Sequence, residues 1–205
     1  LHESFFEAQI KELNLFITGV GNVGKRLINQ INHQKNYLLK NLRLKINVMG
    51  LSNSKKMILS EEPISLLEWE NLLYEGEKAD RDIYFDYIKS KNLRNSIFID
   101  NTASPIISKE YHKFLKNSIG VVTCNKIACA DELKNYKILK NVSRKFSSPF
   151  LFETNVGAGL PIIDTLNNLI ASGDRIIKIQ AILSGSLNYI FNNFDNKSSF
   201  VNVVK

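Results

Sequence analysis

The chain alternates short apolar runs with longer segments in which apolar residues recur every three or four positions. The short runs are typical of buried strands, and the wider spacing is typical of amphipathic helices. Up to Pro149 the pattern predicts strands over 15–18, 44–51, 96–100 and 120–123, and helices over 24–35, 65–73, 82–91, 108–115 and 131–146. Ser65 and Glu68 have the spacing of a capping box, and Asp131 is expected to cap the last of these helices. This alternation predicts an α/β fold with a doubly wound parallel sheet.

The pattern of the sequence changes after Pro149, where we predict a domain boundary. The residues that follow predict a strand over 150–153, a helix between Pro161 and Gly173, a strand over 176–183 and a helix after Ser186. We therefore expect a linker or short helix over 1–12, a first domain over 13–149, and the first part of an α+β domain over 150–205.

The first predicted strand ends in a glycine turn that leads directly into a helix. Gly19, Gly21 and Gly24 have the spacing of a dinucleotide-binding loop. In such a loop the first glycine permits the turn, the second lets the backbone approach a pyrophosphate, and the third lets the helix pack on the strand. Glycines also serve ordinary turns, but the flanking strand and helix favour a Rossmann-type nucleotide site.

The carboxyl ends of the other strands carry polar residues, and ligands bind at such ends in doubly wound sheets. The second strand ends in Asn53 and Ser54, without the acidic residue that would hold the ribose of NAD, and Lys55 and Lys56 follow. Small polar groups and positive charge suit a 2′-phosphate, so NADP is somewhat favoured over NAD. The alternative is that these lysines belong to a plain surface loop.

Two further candidates follow the strand over 120–123. Lys126 would point into the cleft, where an ammonium group can donate a proton or a hydrogen bond to a carbonyl that accepts a hydride. A solvent-facing lysine is the alternative. Cys124 could act as a nucleophile, as in aldehyde-oxidising enzymes, but no histidine is paired with it in the sequence, and unpaired thiols are usually inert.

A carboxylate followed by small residues marks the start of the second domain. After Glu153 the segment Thr154–Leu160 can turn several carbonyl oxygens inward, and hard cations take oxygen ligands of this kind. The alternative is a glycine-rich turn in which Glu153 faces a helix N-terminus, and spacing alone favours that alternative.

Composition and charge exclude several classes of protein. The 205 residues are 44% hydrophobic and 23% charged, with neither an apolar run of membrane-spanning length nor a signal peptide. The net charge of +7 raises the question of nucleic-acid binding, but lysines and arginines are spread along the chain, as on a solvated surface. Cys124 and Cys129 lack the nearby histidines of a zinc site, so we expect two reduced thiols.

Five segments occur in the order expected of homoserine dehydrogenase, and the chain resembles that family over nearly its whole length. They are Gly19–Gly24, Ile99–Thr102, Thr123–Lys126, Glu153–Ile163 and Leu183–Ile190. The last two are the most specific. Residues 1–9 also resemble the connector after the kinase and regulatory part of bifunctional aspartokinase–homoserine dehydrogenases.

The resemblance implies NAD(P)-dependent interconversion of L-aspartate 4-semialdehyde and L-homoserine in the cytoplasm, on the route to threonine and methionine. It implies a homo-oligomer that dimerises through the second domain and an aspartokinase fused upstream. Neither a nucleic acid nor a membrane is expected as a partner.

The resemblance also assigns residues to the site. Cofactor contacts are expected from Gly19, Gly21, Asn22, Val23, Gly24, Asn53, Ser54, Thr102 and Lys126. Lys126 is the expected catalytic residue, between nicotinamide and substrate, and Gly185 and Ser186 are expected to touch the substrate. A monovalent cation, sodium, is expected on Glu153 and on the carbonyls of Val156, Ala158 and Leu160.

Some features depart from the family pattern. Cys124 stands where the family usually has Pro, and Ser186 where it usually has Thr. The sequence begins without Met and stops at Lys205, before the family's substrate-binding carboxylates and second catalytic lysine, so we expect a truncated sequence. Two rival functions follow: a nucleotide-binding domain without catalysis, and a semialdehyde dehydrogenase that uses Cys124.

Overall fold

A seven-stranded sheet organises the first part of the chain. The computed structural model describes residues 10–182, 184–194 and 199–204. Within these residues the strands are β1 (Lys11–Thr18), β2 (Leu44–Ser52), β3 (Lys56–Leu59), β4 (Glu77–Lys78), β5 (Ser96–Asp100), β6 (Gly120–Thr123) and β7 (Phe150–Leu151). Their order across the sheet is β4-β3-β2-β1-β5-β6-β7.

The predicted doubly wound parallel sheet is confirmed. β1 pairs in parallel with β2 on one side and with β5 on the other, and β6 and β7 continue the parallel pairing beyond β5. The strand order therefore reverses at β1. At such a reversal the connections leave on opposite faces of the sheet, and a crevice opens between the carboxyl ends of β1, β2 and β5.

An antiparallel edge, which the sequence pattern did not predict, extends the sheet beyond β2. β3 pairs antiparallel with β2, and β4 pairs antiparallel with β3. The chain reverses between β2 and β3 through a tight turn, in which the N–H of Asn53 donates to the carbonyl of Lys56 at 2.9 Å. β3 has only three consecutive apolar residues, Met57 to Leu59, and β4 has only two residues, both charged, so each is too short for the pattern to indicate a strand.

Along the chain, helices separate most of the strands of this sheet. They are α1 (Asn22–Leu42), α2 (Trp69–Glu75), α3 (Arg81–Lys91), α4 (Pro105–Ser108), α5 (Tyr111–Lys116), α6 (Ile127–Ala130) and α7 (Leu133–Lys145). Successive side chains of β1 point to opposite faces of the sheet, so each face has its own core. Phe16 packs with Phe98, Tyr111 and Phe114, whereas Ile17 packs with Ile28, Leu51 and Ile99.

Several predicted boundaries were wrong. β1 begins at Lys11, so residues 11 and 12 are strand rather than linker, and residues 1–9 lie outside the described part. α1 continues to Leu42 although its buried positions end at Ile31, because a helix once formed extends at little further cost. The helix predicted over 108–115 is divided into α4 and α5.

Two predicted helix caps were also wrong. The carbonyl of Ser65 accepts the N–H of Glu68 at 3.3 Å in a turn, and α2 begins only at Trp69 without a side-chain cap. Asp131 was expected to cap the helix towards Phe146, but α7 begins at Leu133 after Glu132. Asp131 instead accepts a hydrogen bond from the amide of Asn135 at 2.7 Å.

The second part of the chain forms its own compact unit, and the division falls between Phe152 and Glu153. The strand predicted over 150–153 is limited to β7, which pairs with β6 and so belongs to the first unit. The second unit contains a 3₁₀ turn (Glu153–Asn155), α8 (Ile163–Ala171), α9 (Gly185–Asn193) and α10 (Phe200–Val204).

The strand predicted over 176–183 is not formed in residues 176–182, and Leu183 lies outside the described residues. A strand needs a neighbour for its backbone hydrogen bonds, and within the described residues none pairs with this segment. Ile177 is 95% exposed and Ile182 75% exposed. No helix in the described part of the chain is both long and apolar enough to span a bilayer.

Candidate functional site

The glycine turn after β1 has three glycines with different structural requirements. Gly19 has a φ of +89°, and a Cβ there would lie 2.7 Å from the Thr102 Cγ2 atom. A Cβ on Gly24 would lie 2.0 Å from the carbonyl oxygen of Gly19. A Cβ on Gly21 would meet nothing within 4 Å. The fold therefore requires glycine at positions 19 and 24, whereas the space beside Gly21 is open.

The N-terminus of α1 meets this open space. Gly21 is the N-cap and supplies no side-chain acceptor, and the first turn contains no acidic residue. Asn22 and Val23 are exposed there. The first N–H groups of a helix have no partner within the helix and carry its positive dipole end, so this terminus suits an anion such as a phosphate.

A cleft of about 800 Å³ opens beside this turn, at the point where the strand order reverses. Residues 18–21, 52–54, 79–82 and 101–104 line it from four loops. Of the predicted cofactor residues, Gly19, Gly21, Asn53, Ser54 and Thr102 line this cleft. The structure thus gathers one set of predicted contacts from three separate strand ends.

The end of β2 is held by its own side chains. The Asn53 Oδ1 atom accepts the N–H groups of Lys55 and Lys56 at 2.7 and 2.8 Å. The Lys56 Nζ atom donates to the carbonyl of Gly76 at 2.7 Å. The ammonium group of Lys56 is therefore already hydrogen-bonded within the protein, whereas Lys55 is exposed beside the cleft residue Ser54.

Charged residues that the sequence analysis did not single out also line the cleft. Arg81 at the start of α3 pairs with Glu110, with 3.1 Å between Nη1 and Oε1. Asp80 caps α3, since its Oδ1 atom accepts the N–H groups of Asp82 and Ile83. No sequence motif marks Arg81, and only the fold brings it into the same cleft as Asn53.

Lys126 follows β6, and it does not line the cleft. It is exposed at the start of α6, and its carbonyl accepts the N–H groups of Cys129 and Ala130. Within the described residues its ammonium group forms no ion pair. β6 lies beyond β5 from β1, so Lys126 lies on the opposite side of the glycine turn from Asn53.

The Cys124 thiol has an environment that works against a nucleophilic role. Burial raises the pKa of Cys124, the charge of Asp100 raises it further, and Lys126 opposes these effects only in part. Its Sγ atom lies 3.8 Å from the Asn101 Oδ1 atom. A nucleophilic cysteine needs a lowered pKa, because the thiolate is the reactive form.

In the second unit, Glu153 faces a helix N-terminus. Its two carboxylate oxygens accept the N–H groups of Ile163 and Asp164 at 2.9 and 2.8 Å, at the start of α8. Gly157 and Ala158 both have positive φ, +70° and +52°, so the backbone turns sharply between them. This arrangement is the helix-terminus alternative of the sequence analysis.

The predicted substrate residues lie at the start of α9. The Ser184 side chain accepts the N–H of Leu187 at 3.2 Å and caps the helix at Gly185. Gly185 and Ser186 line a shallow concavity of about 730 Å³, together with residues 202–204.

A parallel sheet that reverses at a glycine turn, with a cleft at that reversal, defines a dinucleotide-binding protein of the Rossmann type. The family model of the homoserine dehydrogenase NAD-binding domain matches residues 19–153, and the homoserine dehydrogenase model matches residues 161–205. The chain belongs to the homoserine dehydrogenase family.

Relatives extend the likeness over the whole chain. A chloroplastic bifunctional aspartokinase/homoserine dehydrogenase 1 of Arabidopsis thaliana is 38% identical over 100% of this chain and 22% of its own length. The bifunctional enzyme of Haemophilus influenzae is 38% identical over 98% of this chain and 25% of its own. The homoserine dehydrogenase of Schizosaccharomyces pombe is 38% identical over 94% of this chain and 53% of its own. The chain thus spans between about a fifth and about half of these relatives.

Solved structures share the fold. A protein of unknown function from Candida auris superposes with a TM-score of 0.80 at 30% identity, over 95% of this chain and 54% of its own. A hyperthermophilic archaeal homoserine dehydrogenase in complex with NADPH gives a TM-score of 0.77 at 22% identity, over 95% of this chain and 60% of its own.

Proposed function

We propose that this chain contributes the nicotinamide-nucleotide site and part of the substrate site of a homoserine dehydrogenase, which interconverts L-aspartate 4-semialdehyde and L-homoserine. The observation that carries the proposal is the glycine turn, where two glycines are required by the fold and the space beside Gly21 stays open at the mouth of a cleft. A glycine with open space beside it, between two glycines that the fold requires, lets the backbone approach a bound pyrophosphate closely.

The strand order supports an orientation for the dinucleotide. The N–H groups of Asn22, Val23 and Gly24 at the start of α1 would hold its pyrophosphate. Asn53 and Ser54 would hold the ribose of the adenosine half, since the end of the second strand holds that ribose in this fold. The loops after β5 and β6, with Thr102 and Lys126, would then receive the nicotinamide half.

Lys126 is the catalytic residue of the proposal. The bound nicotinamide supplies or accepts the hydride at the substrate carbon. An ammonium group directed at the substrate oxygen polarises the carbonyl and stabilises the negative charge that develops there. Lys126 is suited to this role because it is exposed and forms no ion pair within the described residues.

We infer a modest preference for NADP. Lys56 is occupied by the carbonyl of Gly76, so Lys55 is the cation at the end of β2 that remains for a 2′-phosphate. Asp80 and Glu110 in the cleft favour a ribose without a phosphate, but Asp80 caps α3 and Glu110 pairs with Arg81. Lys55→Gln should therefore weaken NADPH more than NADH, with Lys56→Gln as the matched control.

The sodium site remains a proposal, and its donor set fits a hard cation by chemistry. The Glu153 carboxylate already accepts two N–H groups, and the carbonyl of Leu160 accepts the N–H of Ile162 at 2.9 Å. Each of these oxygens keeps one lone pair for a cation. The carbonyls of Val156 and Ala158 complete the proposed set, on either side of the sharp turn at Gly157.

The wider setting is proposed from the family resemblance. We place the enzyme in threonine and methionine biosynthesis in the cytoplasm, with an aspartokinase fused upstream and small-molecule substrates. The names of the Arabidopsis and Haemophilus relatives support the fusion. Dimerisation through the second unit is proposed from its exposed apolar side chains, such as Ile177 and Ile182. Light scattering of the purified protein tests this part.

The test of the function combines binding with turnover. NADPH titration should show saturable binding by the 205-residue chain, and aspartate semialdehyde should drive NADPH oxidation by the whole protein. Binding without turnover would favour the rival nucleotide-binding domain without catalysis. Phosphate-dependent oxidation of the semialdehyde that stops on alkylation of Cys124 would favour the rival thiol enzyme.

A further inference from the structure

A buried carboxylate stands at the end of β5, and neither the proposed chemistry nor the proposed cofactor contacts use it. Asp100 is 0% exposed. Within the described ranges no lysine, arginine or histidine forms an ion pair with it. A buried charge without a counter-ion persists only where hydrogen-bond donors stabilise it. The donors around Asp100 therefore matter to the local structure.

Three donors converge on the Asp100 carboxylate. The N–H of Thr102 donates to Oδ1 at 2.7 Å. The Tyr111 hydroxyl and the Asn125 side-chain amide donate to Oδ2 at 2.6 and 3.0 Å. Burial and the Asp100 charge raise the pKa of Tyr111, so its hydroxyl keeps its proton as a donor. The three donors come from the loop after β5, from α5 and from the loop after β6.

Asn125 carries this connection to Lys126. Its side-chain amide donates both to Asp100 and to the carbonyl of Ser104, and its Oδ1 atom accepts the N–H of Ile127 at 3.1 Å. The N–H of Asn125 donates to the Thr123 hydroxyl at 2.8 Å. Both sequence neighbours of Lys126 are thus fixed, although its own side chain is exposed.

We propose that Asp100 is a positioning residue that joins the cleft loop of Thr102 to the loop of Lys126, so that the nicotinamide side of the site is built as one unit. The proposal rests on the proposed function for the identity of the ligand. It assigns Asp100 no contact with substrate or cofactor. Its effect reaches the site through the backbone of Thr102 and through Asn125.

Asp100→Asn separates this role from simple packing, because the two side chains have nearly the same shape. An amide has one acceptor oxygen, so its NH₂ group must face either the N–H of Thr102 or the amide of Asn125. Neither of these donors can accept from it in the arrangement described. One of the two loops must therefore detach from Asp100.

The test uses two nucleotides that differ only in the nicotinamide. Calorimetry of the 205-residue chain should show that Asp100→Asn weakens NADPH at least tenfold and weakens 2′-phospho-ADP-ribose less than threefold. The control is Ile88→Ala, a buried change in α3 at the end away from the cleft. It should lower the melting temperature without separating the two affinities. Parallel loss of both nucleotides in Asp100→Asn would overturn the proposal.

A second readout needs no cofactor. In a Cys129→Ala background Cys124 is the remaining thiol, and it lies on the loop that Asp100 holds. Asp100→Asn should raise its rate of labelling by iodoacetamide at least fivefold well below the melting temperature, and Ile88→Ala should not. An unchanged labelling rate in the folded variant would also overturn the proposal.

If Asp100→Asn does not fold, Asn125→Ala tests the same connection from the loop of Lys126. It keeps the carboxylate and two of its donors, and it should give the same separation of the two affinities. An unchanged NADPH affinity would overturn the proposal. Failure of the proposed function would show differently, as a wild-type chain that does not bind NADPH while the labelling contrast remains.

Discussion

Gly21→Val should abolish nucleotide binding and leave the fold intact, whereas Gly24→Ala should damage the fold. A Cβ at position 21 meets nothing within 4 Å, and the residue already has φ −72°, which any side chain can adopt. Replacing Gly at an N-cap by an apolar residue costs about 0.5–1 kcal/mol. Valine also reduces the conformational entropy of the unfolded chain, which stabilises the folded state by about 0.4–1 kcal/mol. These effects nearly cancel, so the melting temperature should change by about 2 °C or less.

The loss of binding should be much larger than that change in stability. The valine side chain would occupy the space where phosphates approach the first N–H groups of α1. A hydrogen bond to a charged group is worth about 1.5–3 kcal/mol, so losing two of them costs about 3–6 kcal/mol. That corresponds to a loss of roughly 10²–10⁴ in NADPH affinity.

Gly24→Ala provides the contrast. Its Cβ would lie 2.0 Å from the carbonyl oxygen of Gly19, so α1 would have to move away from β1. Overpacking of this kind costs about 1–3 kcal/mol. In a chain of this size the melting temperature should fall by about 2–12 °C. Thermal melts and NADPH titrations of both variants check the pair. Unchanged NADPH affinity in a folded Gly21→Val variant would refute the assignment of the site.

Three further outcomes follow from the same structure. Sodium should raise the melting temperature more than an equal concentration of a bulky organic cation. Glu153→Gln should remove that difference, although it keeps one acceptor oxygen for the N–H groups of α8. An equal response of the wild type and the variant to sodium would leave Glu153 as a helix-terminus partner only. Lys126→Ala should lower kcat of the whole enzyme by roughly 10²-fold or more with little change in melting temperature, because an oriented charge at the reacting oxygen is lost. Near-normal turnover by this variant would contradict the catalytic role of Lys126. Because the pKa of Cys124 is raised, its thiolate forms at higher pH than that of a free cysteine. The pH midpoint of its alkylation should therefore lie above that of a cysteine peptide. A lower midpoint would support the rival thiol mechanism.

The sequence predicted the elements whose signals are local. A strand, a glycine turn and a helix are written into consecutive residues from Leu15 to Ile31, and the structure contains them in that order. The parallel sheet followed because each strand was separated from the next by a helical pattern. The antiparallel β3 and β4 were missed, since their pairing partners and not their own residues define them.

The wrong predictions have a common physical cause. The segment 176–182 has strand-like composition, but a strand exists only where another segment satisfies its backbone, and no strand in the described part of the chain does so. Ser65 has the spacing of a capping box, but the chain makes a turn there that uses its carbonyl instead. In both cases the local residues permit a structure that the tertiary contacts do not complete.

Asp100 lies at the boundary of what the sequence can predict. An aspartate after an apolar strand indicates a polar strand end, and that much was predicted. Its partners at positions 102, 111 and 125 belong to two loops and a helix, and no spacing rule brings them together. The glycine motif supplies the proposed pyrophosphate side of the cleft from one stretch of chain. The proposed nicotinamide side comes from separate stretches, so on our proposal a buried carboxylate that joins them should affect the site more than its position in the sequence suggests.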